Sequence, residues 1–199
     1  MKVILNLIVF LALVFPVYGQ EEYIQSLEKE RKEADAYFKD PDTSPLTKKN
    51  RRKFKKLNYF NVNPAYKVTA HFYIHEEKDT FLMPTTTERQ PVYVRYGELL
   101  FELNGETHKL QVYQNVDLAN KEGYEDYLFL PFLDETNGIE TYGGGRYLDI
   151  RMPAGDTLTI DFNKAYNPYC AYNKKYSCPL VPAENRLEIP IKAGVLTWH

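Results

Sequence analysis

Side chains that bind metals or act as nucleophiles are scarce in this sequence. Only two cysteines and four histidines occur among its 199 residues. His71 and His75 have the spacing of a helical zinc motif, but they fall in a segment whose pattern is that of a strand. At about 3.3 Å per residue those two positions lie about 13 Å apart, too far for both rings to bind one metal ion. We therefore predict no metal site and no cofactor.

The motifs of common enzyme and nucleotide-binding classes are also missing. The glycine run at 143–145 leads into a strand pattern, whereas a phosphate loop opens onto the N-terminus of a helix. The sequence contains no nucleophile elbow and no catalytic-triad spacing. No recognisable nucleic-acid motif accompanies its one basic segment, so we expect no nucleic-acid partner. The reaction or ligand is thus left open.

Long apolar runs are confined to the amino terminus. Residues 3–15 are apolar except for Asn6, and Val17 and Gly19 then stand where a signal peptidase reads the chain. The run is shorter than the roughly 20 residues that cross a bilayer. We predict a signal peptide over 1–19, a mature chain that begins at Gln20, and export to the periplasm or medium without a transmembrane span.

Charge is unevenly distributed along the predicted mature chain. Segment 47–56 carries seven lysines and arginines and no acid, whereas residues 57–199 carry 13 basic and 19 acidic side chains. Such a segment can bind nucleic acid, contact an anionic surface, or lie solvated against an acidic domain. We favour the last of these. The organisation we predict is a helical, partly basic segment over 20–56 followed by one domain over 57–199.

Helical periodicity precedes the domain. Apolar residues recur between Glu21 and Lys39 as on one face of an amphipathic helix, and Asp40-Pro41 ends the pattern. Ser44-Pro45 then indicates a second, shorter helix, with serine as its cap and proline in its first turn.

After Leu57 the hydrophobic period changes to two, which is typical of strands. Asn104-Gly105 is a strong signal for a two-residue hairpin turn. The chain is mainly β, and we expect an antiparallel barrel or sandwich of about eight strands with an N-terminal amphipathic helix. The strands that the pattern predicts are 67–75, 91–96, 98–103, 107–113, 127–133, 146–152, 157–162 and 186–192.

Cys170 and Cys178 both lie in one loop, between Phe162 and Arg186, which we call the cysteine loop. In an exported chain they predict a disulfide, whose nine-residue ring stabilises the fold by roughly 2.5 kcal/mol on chain entropy. A metal site would need two further ligands, and the loop contains no histidine. A nucleophilic cysteine would need a neighbouring base.

Polar side chains are dense in the cysteine loop and in the loop over 134–146. If the flanking strands are neighbours, both loops emerge at one end of the sheet, where their side chains would meet. Arg146 could bind a ligand carboxylate or form a structural salt bridge. The candidate ligand-binding residues are Glu140, Tyr142, Arg146, Asp161, Asn163, Glu184 and Asn185.

Two long stretches resemble an uncharacterised bacterial family, Domain of Unknown Function 1684. They are FLDETNGIETYGGGRYLDI at 132–150 and DFNKAYNPYCAYNKKYSCPLVPAENRLEIPIKAGV at 161–195, and TTTERQPVYVRYGELLFELNG also fits. Val181 stands where many members of that family have a second proline, and Val195 stands where an acid is common. The resemblance implies kinship over most of the mature chain and assigns no reaction, substrate or cofactor.

Three functions are compatible with these observations. We favour a binding module for a small molecule or an envelope component, with its pocket between the two polar loops. A hydrolase is the first alternative, using two of Asp134, Glu140, Asp161 and Glu184 as acid and base. A structural envelope protein that engages partners through 20–56 is the second.

Overall fold

The long N-terminal helix ends where the sequence predicts. The computed structural model describes residues 2–198, with side chains from residue 19 onward, and α1 spans Lys2–Lys39. The turn that follows is closed by Asp40, whose carboxylate accepts a hydrogen bond from the backbone of Asp42 over 2.8 Å. The predicted signal peptide, 1–19, falls almost wholly on residues whose side chains are not described, so it stays a prediction.

The short basic helix begins later than Ser44-Pro45 indicated. Helix α2 spans Lys48–Lys53, and the side chain of its N-cap, Thr47, accepts a hydrogen bond from the backbone of Asn50. Ser44 instead turns back to the first helix, where its hydroxyl donates to the carbonyl of Phe38 over 2.6 Å. The basic residues of 47–56 form none of the salt bridges described for this structure. The segment is held by buried Phe54 and Leu57, not by ion pairs with the acidic domain.

The domain is one curled antiparallel sheet. Its strand order is β6-β5-β4-β3-β1-β7, and β2 pairs with β3 beside that path. The prediction of a mainly β, antiparallel domain with an N-terminal helix is confirmed. The sheet is open, with β6 and β7 at its two ends, so it forms neither a closed barrel nor a two-sheet sandwich. The seven strands are β1 Lys67–Ile74, β2 Thr80–Leu82, β3 Val92–Leu103, β4 Glu106–Asn115, β5 Tyr127–Phe132, β6 Arg146–Arg151 and β7 Thr157–Asp161.

The predicted strand over 186–192 does not form. Pro190 has no backbone N–H to donate, and the N–H of Ile191 is bound by the Asp134 carboxylate over 3.1 Å. Only Arg186 pairs as a strand would, in a single parallel bridge with Leu133. Leu187 and Ile191 are nevertheless buried, because this irregular segment crosses one face of the sheet and covers the core.

The two predicted strands on either side of Gly97 are one long strand with a bulge. The pairing of β3 with β4 shifts register between Arg95 and Gly97, which places Tyr96 in the bulge. At Gly97 a side chain would not fit, since an added Cβ would lie 2.4 Å from the carbonyl oxygen of Tyr73 on β1. The hairpin prediction is confirmed: Asn104 and Gly105 have φ of 56° and 81°, the paired positive values that a type I′ turn requires.

The two faces of the sheet bury different side chains. One face carries the main core of leucine, isoleucine and phenylalanine, including Leu99, Leu110 and Leu130. The other face carries an aromatic cluster with Tyr93 and Phe129 at its centre. Among the residues whose side chains are described, no helix is long and apolar enough to cross a membrane.

Candidate functional site

A cavity of about 970 Å³ lies on the aromatic face of the sheet. Its floor is formed by strands, one wall by α1 and another by the cysteine loop. We call it the tyrosine cavity after the residue type that dominates its lining. The aromatic residues that line it are Tyr37, Phe38, Tyr59, Tyr93, Tyr127, Phe129, Tyr147, Tyr166, Tyr169, Tyr172 and Tyr176.

Strand alternation explains the floor of the cavity. On β5 the leucines at 128 and 130 point into the main core, so Phe129 between them faces the opposite side. Tyr147 on β6 lies on that same side, and its ring meets Phe129 edge to face with centroids 4.7 Å apart. Tyr93 on β3 adds a third ring, 5.9 Å from Phe129. The floor is therefore a rigid set of aromatic rings.

The cysteine loop is fixed to the sheet by backbone hydrogen bonds. Tyr147 and Tyr166 exchange N–H to carbonyl bonds of 2.9 and 3.0 Å, and the Tyr147 hydroxyl donates to the carbonyl of Pro179. Farther along the loop, Cys178 exchanges two bonds with Thr86, one of them to the threonine hydroxyl at 3.1 Å. These anchors hold Tyr169, Tyr176 and Pro179 above the aromatic floor.

Helix α1 supplies the remaining wall. Phe38 packs edge to face against Tyr172 of the cysteine loop, with ring centroids 4.8 Å apart. One turn earlier Ala34 lines the cavity without filling it, and the hydroxyls of Tyr169 and Tyr37 are hydrogen-bonded over 3.2 Å. The cavity therefore requires α1, the sheet and the cysteine loop, and the first and last of these lie more than a hundred residues apart in the sequence.

One carboxylate stands among the tyrosines. Asp149, which follows Tyr147 by two residues on β6, lines the cavity and accepts two short hydrogen bonds at Oδ1. The hydroxyl of Tyr127 donates over 2.6 Å and that of Tyr166 over 2.5 Å. Burial, followed by the negative charge of Asp149, raises the pKa of both tyrosines, so both remain neutral donors at physiological pH.

A second cavity, of about 590 Å³, adjoins the first. Asp149 and Tyr166 line both cavities, and they form the partition between them. The smaller cavity is bounded by Tyr23 of α1 and by two lysines. Lys164 is paired with Glu30 over 2.7 Å, and the ammonium of Lys67 lies 4.4 Å from the Tyr23 ring.

Four of the seven predicted ligand-binding residues are buried, and three of these line neither cavity. Arg146 is 0% exposed and donates to Asp134 and to the carbonyls of Ile191 and Ala193, so it forms the structural salt bridge. Asn185, also 0% exposed, joins β4 to β5. Asn163 binds the backbone of Asn63 through two hydrogen bonds.

The other four lie in different places. Asp161 accepts from the Tyr23 hydroxyl and lines the smaller cavity. Glu140 lies 3.4 Å from Lys192, and exposed Glu184 accepts from the Tyr113 hydroxyl over 3.0 Å. Tyr142 contacts Cys170, with oxygen and sulfur 3.9 Å apart. None of the seven lines the tyrosine cavity, and ligand binding by them stays a prediction.

The two cysteines are adjacent free thiols in the structure. The backbone N–H of Cys170 donates to the sulfur of Cys178 over 3.2 Å. A hydrogen bond from the Cys178 thiol lowers the pKa of Cys170 to about 6, against burial, which acts in the opposite direction. The predicted disulfide is thus not formed here, although its two partners do meet, and Cys178 lines the tyrosine cavity.

The abundance of tyrosine in the sequence is a signal for this cavity. The prediction of a site between the two polar loops did not use that signal. Seventeen of its residues are tyrosines, and the lining takes them from loops as well as strands. On β6 the alternation of Arg146, Tyr147, Leu148 and Asp149 already separates the two faces of the strand, with Tyr147 and Asp149 on the side of the cavity. In the part of the chain with described side chains, no cluster of three histidine, cysteine or acidic residues could hold a metal ion.

Comparison with known proteins supports the resemblance found in the sequence. Residues 52–196 match the family described as protein of unknown function (DUF1684). The solution NMR structure of an uncharacterized protein from Haloarcula marismortui, an archaeon, is similar in fold, with a TM-score of 0.68 and 34% sequence identity. The match covers 90% of this chain and 97% of that one, so the similarity extends beyond bacteria. No curated protein matches the chain.

Proposed function

The chain belongs to the family described as protein of unknown function (DUF1684), and from that premise we propose that it is a small-molecule binding module. The ligand occupies the tyrosine cavity. The observation that carries the proposal is the cavity itself, whose volume of about 970 Å³ lies near the upper end of the range of about 300–1,000 Å³ for ligand sites.

The lining has the composition expected of a binding site. Ligand pockets are mostly apolar and aromatic, with a few polar groups that set orientation. Here the rings of Phe129 and Tyr147 supply the apolar floor, and Asp149 supplies a polar group fixed by two hydrogen bonds. The anchored cysteine loop keeps the cavity formed before a ligand arrives, which reduces the entropic cost of binding.

A pair of catalytic carboxylates receives less support. The four acids considered for a hydrolase are each bound to different partners, and buried Asp134 is neutralised by Arg146 at 2.8 Å. None of the four lines the tyrosine cavity, and only Asp161 lines the smaller one. Acid and base must flank one substrate bond, which this arrangement does not offer.

A cavity-filling substitution tests the proposal. Native mass spectrometry of the full chain, purified from its own source, should show a retained molecule that is released on denaturation. Ala34→Trp places an indole in the cavity and should abolish retention, because the ligand and the new ring compete for the same volume. Ala154→Trp, in an exposed turn away from the cavity, is the matched control and should retain the ligand.

The result that contradicts the proposal is equally specific. If both variants are folded by circular dichroism and both retain the same molecule, the ligand binds elsewhere. If the parent chain also takes up no compound from a broad thermal-shift screen, the cavity is not a ligand site.

A further inference from the structure

We propose that the ligand of the tyrosine cavity is an organic cation, an amine or quaternary ammonium on an apolar or aromatic body, with Asp149 as its counter-ion. This inference rests on the proposed binding function and narrows it to one chemical class. It is carried by the arrangement of charge, ring faces and hydrogen bonds around a single carboxylate.

The Asp149 carboxylate is held in place yet has no cationic partner. Both tyrosine hydroxyls donate to Oδ1, and within the described part of the chain no group donates to Oδ2. No lysine or arginine with a described side chain forms a salt bridge with it. A carboxylate that is positioned by two donors and left uncompensated presents negative charge to whatever occupies the cavity.

The two lysines that line the smaller cavity beside Asp149 are exposed and already engaged with other groups. Lys164 is paired with Glu30, and Lys67 lies over the ring of Tyr23. The charges on the rim of the tyrosine cavity are balanced, with Glu33 and Asp117 opposed by Arg89 and Lys121, and all four are exposed to solvent, as Asp149 itself is. The rim therefore does not cancel the charge of Asp149.

The tyrosines offer ring surface in preference to free hydroxyls. The hydroxyls of Tyr127, Tyr166, Tyr147 and Tyr169 each donate to a protein acceptor. For these four tyrosines, what remains for a ligand is the ring itself, whose faces carry partial negative charge and attract cations.

Neutral and anionic ligands fit these groups less well. An anion would meet the uncompensated Asp149 carboxylate, and like charges in a partly enclosed site repel. A neutral molecule would leave that carboxylate without a counter-charge. The volume of the cavity exceeds that of a small ammonium ion, so the cation carries an apolar or aromatic body that covers the remaining rings.

Three probes that share one phenol ring test the inference. We would measure binding of tyramine, 4-ethylphenol and 3-(4-hydroxyphenyl)propionate to the full chain by isothermal titration calorimetry at low ionic strength. The expected order is tyramine first, by about tenfold over 4-ethylphenol, the size of effect that one charge and ring contact supports. The propionate should bind weakest. Benzyltrimethylammonium, which has no N–H, should also bind, because the ring faces act on charge alone.

Two variants assign the effect to the carboxylate. Asp149→Asn keeps the shape and both tyrosine bonds, and it should reduce the preference for tyramine over 4-ethylphenol to less than about twofold. Glu33→Gln removes an acid from the rim and should leave the preference intact. Should the asparagine variant fail to fold, Tyr166→Phe, which frees Asp149 of one donor, should keep the order of the three probes.

The possible outcomes distinguish a failure of this inference from a failure of the proposed binding function. If 4-ethylphenol or the propionate binds as tightly as tyramine, and Ala34→Trp blocks that binding, the cavity is a ligand site but not a cation site. An unchanged preference in Asp149→Asn also overturns the assignment. If no probe binds while the purified chain retains a neutral or acidic molecule, the cation class is wrong and the binding function stands.

Discussion

The buried pair of Arg146 and Asp134 shows how strongly a residue's surroundings decide its role. The sequence leaves two roles open for Arg146, binding a ligand carboxylate or forming a structural salt bridge. The structure buries the guanidinium and surrounds it with Asp134 and two backbone carbonyls. Removing one partner of such a pair typically costs about 3–5 kcal/mol, because the other charge is left buried and uncompensated. Arg146 therefore stabilises the arrangement of the loops beside the predicted ligand site.

The thiol of Cys170 should be unusually reactive in the reduced protein. Its pKa is lowered to about 6, first of all by the hydrogen bond from Cys178. We expect the rate of alkylation by iodoacetamide to reach half its maximum near pH 6, against about 8.5 for an ordinary thiol. Mass spectrometry of the modified protein at a series of pH values measures this directly.

The matched control for this prediction is the partner cysteine. In Cys178→Ala the donor is lost, so the midpoint for Cys170 should rise toward that of an ordinary thiol. An unchanged midpoint in that variant would show that Cys178 does not set the reactivity. In oxidised protein neither cysteine should react, if the predicted disulfide forms, and the intact mass should fall by about two daltons.

At the scale of elements, β3 and β1 approach so closely at Gly97 that the sheet requires glycine there. We expect Gly97→Ala to destabilise the protein by about 1–3 kcal/mol, since its Cβ would meet the backbone carbonyl of Tyr73 and neither strand can yield. Chemical denaturation with urea measures the change. Gly155→Ala, whose Cβ would meet nothing within 4 Å, is the control and should change stability by less than about 0.5 kcal/mol.

Local sequence patterns predict where a helix, turn or strand lies more reliably than they predict which strands pair. The end of α1 at Lys39 and the hairpin at Asn104-Gly105 were predicted, because proline geometry and positive φ act within a few residues. The strand over 186–192 was predicted but does not form, because the backbone N–H of Ile191 is bound by Asp134, a residue more than fifty positions away. The short strand β2 was missed for a similar reason: its pairing with β3, not its own pattern, makes it a strand.

The N-terminal helices pack against the β domain. Tyr23 of α1 donates to Asp161, and Arg31 donates to the carbonyl of Phe60 over 3.1 Å. Phe38 and Phe54 are buried against the cysteine loop and the C-terminal segment. Deleting 20–56 would therefore expose apolar surface, and a loss of partner binding in such a truncation could reflect misfolding. Charge substitutions on α2 are the sharper test of an envelope partner.

At the scale of the whole molecule, export is the property that the amino terminus predicts. We expect protein from the native cell to be found outside the cytoplasm with Gln20 as its first residue, because 1–19 has the pattern of a cleaved signal. Cell fractionation followed by N-terminal sequencing measures both. Val9→Arg, which places a charge in the apolar run, should retain the chain in the cytoplasm, whereas Val9→Leu should not. Cytoplasmic protein that begins at Met1 would contradict the prediction.

The sequence by itself determined the β character of the domain, the helix that precedes it and the family to which the chain belongs. Those properties depend on periodicity, turn residues and long contiguous stretches, all of which can be found along the chain. The tertiary structure alone decided that the sheet stays open, that the predicted polar residues lie apart, and that eleven aromatic side chains line one cavity. A cavity is made by side chains that are distant in sequence and adjacent in space, and hydrophobic period does not record which of them will meet.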